Sequence, residues 1–298
     1  MIDDLTLGAF VSAATSGDDA DLPVAALLIA RIEHHGLDPA PWLAKLERLG
    51  ALASASLQRL GPDAPPRRQV EVLNALLFEQ EGFSGNERSY DDPRNSFVND
   101  VLDRRTGIPV SLSVIYLDVA RRAGVRLEGV NFPGHFLVRY RAGRRHADEP
   151  GELLIDPFGG GALLTETDCR QLLRKHAGDE ATFDRRMLVT AGKQDILVRM
   201  LGNLKRLYVS MRSFPQARDA VNLLVALDPL AAEELRDRGL LSYHMGEHVQ
   251  ALRDLQAYLR ITSRAGQAPE QVDEEGRAEL QQVWEHVKTL RRRIASFN

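Results

Sequence analysis

The chain has 298 residues, 44% hydrophobic and 27% charged, the proportions of an ordinary globular protein of two or three domains. A net charge of −4 gives no electrostatic footprint for nucleic acid, and no apolar run reaches the roughly 20 residues that cross a bilayer. The single cysteine, Cys169, excludes an internal disulfide and fits a reducing cytoplasm, and Met1-Ile2-Asp3-Asp4-Leu5 lacks the basic start and apolar core of a secretory leader.

The first segment, 1–82, reads as helical. Apolar residues recur at helical spacing from Leu22 to Ile32, with Asp21 as cap and Pro23 in the first turn. A second helix starts at Asp38-Pro39-Ala40-Pro41 and carries Trp42, Leu43, Leu46 and Leu49. The cluster Gly61-Pro62-Asp63-Ala64-Pro65-Pro66 precedes a third, Val70 to Glu79. The pair His34-His35 is read as a helix end, because adjacent helical residues point in different directions and make a poor metal pair.

The middle segment, 83–192, changes character. After loop-rich sequence around Tyr90-Asp91-Asp92-Pro93-Arg94-Asn95, Ser96 is expected to cap a helix from Phe97 to Arg105. A second helix is expected from about Ser111 to Ala123, ended by Gly124. Strand-like runs follow at Leu127 to Phe132, His135 to Tyr140 and Leu153 to Asp156. Helix followed by sequential strands predicts an α+β core with a small antiparallel sheet. Arg139, Arg141, Arg144 and Arg145 read as a solvated hairpin, with a phosphate site as the alternative.

The last segment, 193–298, returns to helices and repeats itself. Arg212-Ser213-Phe214-Pro215-Gln216-Ala217 aligns with Met245-Gly246-Glu247-His248-Val249-Gln250-Ala251, and the two alanines stand one ~34-residue tetratricopeptide period apart. Gly239 falls where that repeat carries a small residue. Two units cannot stand alone, and a C-terminal helix with Leu280, Val283, Val287, Leu290 and Ile294 on one face is the expected cap. His244, Glu247 and His248 lack the spacing of a zinc-protease motif, and no metal is assigned to them.

Three short stretches carry chemistry: Thr106-Gly107-Ile108-Pro109-Val110-Ser111, Pro133-Gly134-His135-Phe136 and Leu154-Ile155-Asp156-Pro157. Ser111, near a helix start, lies where the dipole and unpaired N–H groups favour an anion, although serine there also serves as an ordinary cap. Ser113 is the second candidate hydroxyl. His135 is the natural proton acceptor, and Asp156, emerging from an apolar strand, needs a partner that His135 can supply. Asn95 and Asn99 are candidate side-chain donors, and Arg139 a further binding candidate.

These stretches, with Val119-Ala120-Arg121-Arg122-Ala123-Gly124, Gly129-Val130-Asn131-Phe132 and Asp156-Pro157-Phe158-Gly159-Gly160, closely resemble the SirB family, over nearly the whole chain. The resemblance implies a helical N-terminal region, a transglutaminase-like (papain-like) core and tetratricopeptide-type repeats. It implies a triad of His135 and Asp156 with Ser111 near the cysteine position. Cys169 follows Asp156, the wrong chain order for the nucleophile, and reads as a packing residue. A serine must lose its proton in concert with attack, whereas a cysteine is partly thiolate at neutral pH. The expected function is therefore a non-catalytic, cofactor-free regulatory module that binds a protein or peptide, away from membrane and nucleic acid. The alternative is a serine-dependent acyl transferase or amide or ester hydrolase.

Overall fold

The structure, a computed structural model, describes residues 2–15, 20–61, 63–141, 152–264 and 274–296. Its helices are α1 (Asp4–Thr15), α2 (Leu22–Ile29), α3 (Ala40–Gln58), α4 (Pro66–Asn74), α5 (Val98–Arg104), α6 (Pro109–Arg122), α7 (Glu166–Ala177), α8 (Lys193–Ser210), α9 (Phe214–Leu227), α10 (Ala232–His244), α11 (His248–Arg264) and α12 (Glu274–Ser296). Its strands are β1 (Ser84–Gly85), β2 (Thr106–Gly107), β3 (Leu127–Val130), β4 (Leu137–Arg141), β5 (Glu152–Asp156), β6 (Ala162–Leu164) and β7 (Thr190–Ala191). No described helix is long and apolar enough to cross a membrane. The chain divides into two compact units, Gly8–Met200 and Met1–Leu7 with Leu201–Asn298.

In the first unit a five-stranded antiparallel sheet runs in the order β6-β5-β4-β3-β7. The expected strands are present, and β6 and β7 flank them as short edges. The pairing of Val138 with Ile155 and of Gly129 with Val138 sets the register that places His135 and Asp156 at one end of adjacent strands. One face of the sheet packs through Val130, Phe132, Leu137 and Leu154 onto Cys169 and Leu173 of α7. Burial pushes the Cys169 thiol up to about 11, as befits a packing residue.

α6 is central to this unit, with Val114, Tyr116, Val119 and Ala120 all sealed. It starts two residues earlier than expected, with Pro109 at its first position and Ile108 as N-cap. Gly124 adopts φ +83° just beyond its end, as a C-terminal glycine should. Gly50 of α3 lies against Arg122 so closely that a Cβ would fall 2.5 Å from the arginine Cβ. The helices α3 and α6 thus belong to one compact unit. The third N-terminal helix starts at Pro66 rather than Val70, and it widens into a π-turn over Ala75–Gln80 immediately after Asn74. Ser96 is not the cap of α5: Phe97 occupies that position, its carbonyl accepts from Val101 N–H, and no side chain caps the helix.

In the second unit the end of α8 with α9, and α10 with α11, form the repeat pairs, and α12 packs on α11. Gly239 of α10 is required by its neighbour, since a Cβ there would sit 2.7 Å from Leu255 of α11. Val283, Val287 and Leu290 form the buried face of α12. The Arg238 guanidinium grips Asp254 with two bonds of 2.8 Å.

Candidate functional site

The turn Pro133-Gly134, with Gly134 at φ +70°, delivers His135 to the mouth of β4. Asp156 ends β5, and the chain then turns through Pro157 to Gly161. Nε2 of His135 lies 2.8 Å from Oδ1 of Asp156, with both residues buried. The same carboxylate oxygen accepts the Phe158 N–H at 3.0 Å, and a Cβ on Gly159 would fall 2.8 Å from the other oxygen. An ionised Asp156 only accepts, so Nε2 carries the proton and Nδ1 the lone pair. Nδ1 has no hydrogen-bond partner among the described residues. This is the geometry of an oriented base.

Two rings cover the imidazole. Phe158 meets it edge-on at 5.8 Å and is itself met by Tyr90 at 6.0 Å. His176 of α7 stacks on it at 5.7 Å and lies directly over Gly134, where any Cβ would collide with the His176 Cβ. Desolvation, then the neighbouring His135, Lys175 and Arg199, hold the His176 pKa below the usual histidine range. Because the unfolded chain binds that proton first, stability should be lost as pH falls below about 6.5. Urea midpoints at pH 7 and pH 5 measure this, and His176→Gln should reduce the loss.

The turn after Asp156 is anchored from α4. Asn74 Nδ2 donates to the Gly161 carbonyl at 2.8 Å, while its Oδ1 accepts from the Tyr116 hydroxyl at 2.9 Å. Gly161 N–H closes the turn on the Asp156 carbonyl at 2.8 Å. Burial drives the Tyr116 pKa far upward, so it remains a neutral donor. Sequence reasoning missed Asn74, Tyr116 and His176. Asn74 and His176 sit in amphipathic helices and Tyr116 in one buried on nearly every side, and only the tertiary fold brings them to His135 and the turn after Asp156.

The two candidate hydroxyls bond to backbone groups. Ser111, fully buried, donates to the Asn95 carbonyl at 2.6 Å and accepts the Ile108 N–H at 3.1 Å. Ser113 donates to the Pro109 carbonyl one turn back at 2.7 Å. No hydrogen bond joins either serine to His135 among the described residues. The Asn95 side chain is spent on its own loop, donating to the Ser89 and Tyr90 carbonyls at 2.7 and 3.2 Å and accepting from Asn86 at 3.1 Å. Asn99 is buried with Oδ1 unpartnered.

Comparison with known proteins fits this architecture. A model of the transglutaminase-like superfamily matches residues 41–202. The chain belongs to the transglutaminase-like superfamily. A tetratricopeptide-repeat model matches residues 204–273. A UPF0162 protein of Xylella fastidiosa is 38% identical over 88% of this chain and 91% of its own length. Another, from Pseudomonas aeruginosa, is 32% identical over 80% of this chain and 83% of its own length. Human F-box only protein 21 is 36% identical over 59% of this chain but only 28% of its own length. No solved structure matches.

The transglutaminase-like match begins within α3, so Asn74 and Tyr116 lie inside the superfamily region together with His135 and Asp156. Arg139, the further binding candidate, is buried and reaches across the sheet. It reaches Glu128 of β3 at 2.8 Å and the Leu188 carbonyl at 3.0 Å, and it also contacts Thr190 of β7. Arg141 bonds the same glutamate at 3.0 Å, whereas Arg144 and Arg145 lie outside the described residues. His34 pairs with Asp100 at 2.9 Å. His244 stacks on Phe214 at 5.6 Å, and Glu247 pairs with Arg218. Among the described residues no cluster of three or more His, Cys, Asp or Glu is placed to hold a metal.

Proposed function

We propose that the chain, read as a SirB family protein, is a non-catalytic, peptide-binding regulatory protein of the cytoplasm. Its transglutaminase-like core keeps the histidine and aspartate of a triad, and its helical repeats hold a partner. The observation that carries this reading is the hydrogen bonding of Ser111. A nucleophilic hydroxyl gives its proton to a base, and this one gives it to the Asn95 carbonyl at 2.6 Å. Repeats of this kind build extended surfaces for peptides, which supports the partner class.

A direct experiment compares Ser111→Ala with the parent chain. Loss of two buried hydrogen bonds should cost about 1–3 kcal/mol in urea unfolding. Binding to peptides selected on the parent protein should be unchanged within about twofold, since the hydroxyl is a fastening of the helix start. One observation favours a serine-dependent acyl transferase or hydrolase instead: His135 is oriented by Asp156 with Nδ1 left available. Covalent labelling of Ser111 by a fluorophosphonate, lost in His135→Ala, would establish that alternative and end the non-catalytic reading.

A further inference from the structure

A solenoid ends well when its last helix turns a polar face outward. Here the last pair leaves an apolar strip uncovered as well. α11 and α12 enclose an open groove of about 740 Å³ whose floor is Leu252, Leu259 and Val287. Trp284 and Val249 stand on its rim with 45% and 63% of their surfaces exposed. Apolar surface of this kind, set between two packed helices, is where another helix would stack.

The charges around the groove have one sign. Arg253 and Arg260 line the α11 side and Arg291 the α12 side, all exposed, and no acidic residue lines it. None of the three arginines has a carboxylate partner among the described residues, although this unit pairs Lys205, Arg218, Arg236 and Arg238 elsewhere. Arg253 and Arg260 are seven residues apart, two helical turns or about 10 Å along one edge. An incoming helix with carboxylates seven residues apart would meet both. Its apolar stripe would cover Leu252, Leu259 and the Trp284 ring.

We propose that the α11–α12 groove docks an amphipathic helix of a partner protein, with an apolar stripe bordered by aspartate or glutamate. This rests on the reading of the chain as a peptide-binding module, and it names the face and the partner chemistry. The mode is helix-in-groove recognition: apolar anchors supply affinity, while the arginines set orientation and reject basic segments.

The test uses the full chain and three 21-residue helical peptides: a leucine stripe bordered by glutamate, the same stripe bordered by lysine, and a glutamate peptide with the stripe replaced by glutamine. Trp42→Phe leaves Trp284 as the sole tryptophan, since the chain has two. The glutamate–leucine peptide should shift Trp284 emission to the blue and bind at least about tenfold more tightly than either control. Raising salt should weaken it. Arg253→Glu with Arg260→Glu should abolish that preference, and Trp284→Ala should cost about tenfold, with the thermal midpoint of each variant unchanged.

Equal binding of the glutamate and lysine peptides, or binding untouched by these substitutions, overturns the groove while leaving peptide binding elsewhere intact. A parent chain that sediments as a dimer with Trp284 already shielded overturns it too, because the occupant is then a second copy. Failure of the broader reading has a separate signature, the Ser111 labelling described above.

Discussion

Gly161→Ala should destabilise the first unit by roughly 3 kcal/mol, as a lowered urea midpoint. Two independent penalties add at this position. The residue adopts φ +81°, a conformation that costs a side chain about 1–2 kcal/mol. A Cβ would also run into the Asn74 amide, against both Oδ1 and Nδ2. Asn74 cannot retreat without releasing the Tyr116 hydroxyl and the Gly161 carbonyl, each buried or nearly so. The turn that presents Asp156 would therefore move, and the His135–Asp156 bond with it. An NMR reading of the His135 ring should accordingly change in this variant. Gly160→Ala is the control, because a Cβ there meets nothing within 4 Å and only its φ of +67° is penalised.

Asp254→Ala is expected to cost the second unit about 3–5 kcal/mol. Asp254 is only 2% exposed, receives two bonds from Arg238 and accepts a third from Gln250 at 2.9 Å. Removing the carboxylate leaves a largely buried guanidinium with, among the described residues, only Asn222 at 3.4 Å to satisfy it. Removing both charges in Arg238→Met/Asp254→Leu should recover most of the loss, because an apolar pair of similar volume avoids the desolvation penalty. Thermal denaturation of the single and double variants gives the coupling directly.

The sequence announced this fold where local chemistry and tertiary need coincide. Asp21 caps α2 by accepting the Val24 N–H at 3.2 Å, and Gly124 closes α6 in a left-handed conformation. Strand alternation and strand ends brought His135 and Asp156 to one place, because register in a sheet with a buried face is strongly specified. Ser111 was legible as a residue at a helix start but not as a donor. Its acceptor is a backbone carbonyl 16 residues away, and carbonyls have no signature in sequence. Nor did anything local distinguish Asn74 from a solvated polar residue. Its role arises 87 residues downstream, at a glycine hidden within a run of three. The π-turn at Ala75–Gln80 was equally silent, since it follows from a tertiary fit and not from propensity.

The Asn95 carbonyl ties the start of α6 to the loop before it. It accepts from the Ser111 hydroxyl and from Ile108 N–H at 3.2 Å, while the Asn95 amide binds the loop that brings Tyr90 to Phe158. Gly107 leaves room for this hydroxyl, since a Cβ there would lie 2.8 Å from the serine oxygen. A methyl group at position 107 would therefore push the hydroxyl off the Asn95 carbonyl and loosen the helix start together with the loop behind it.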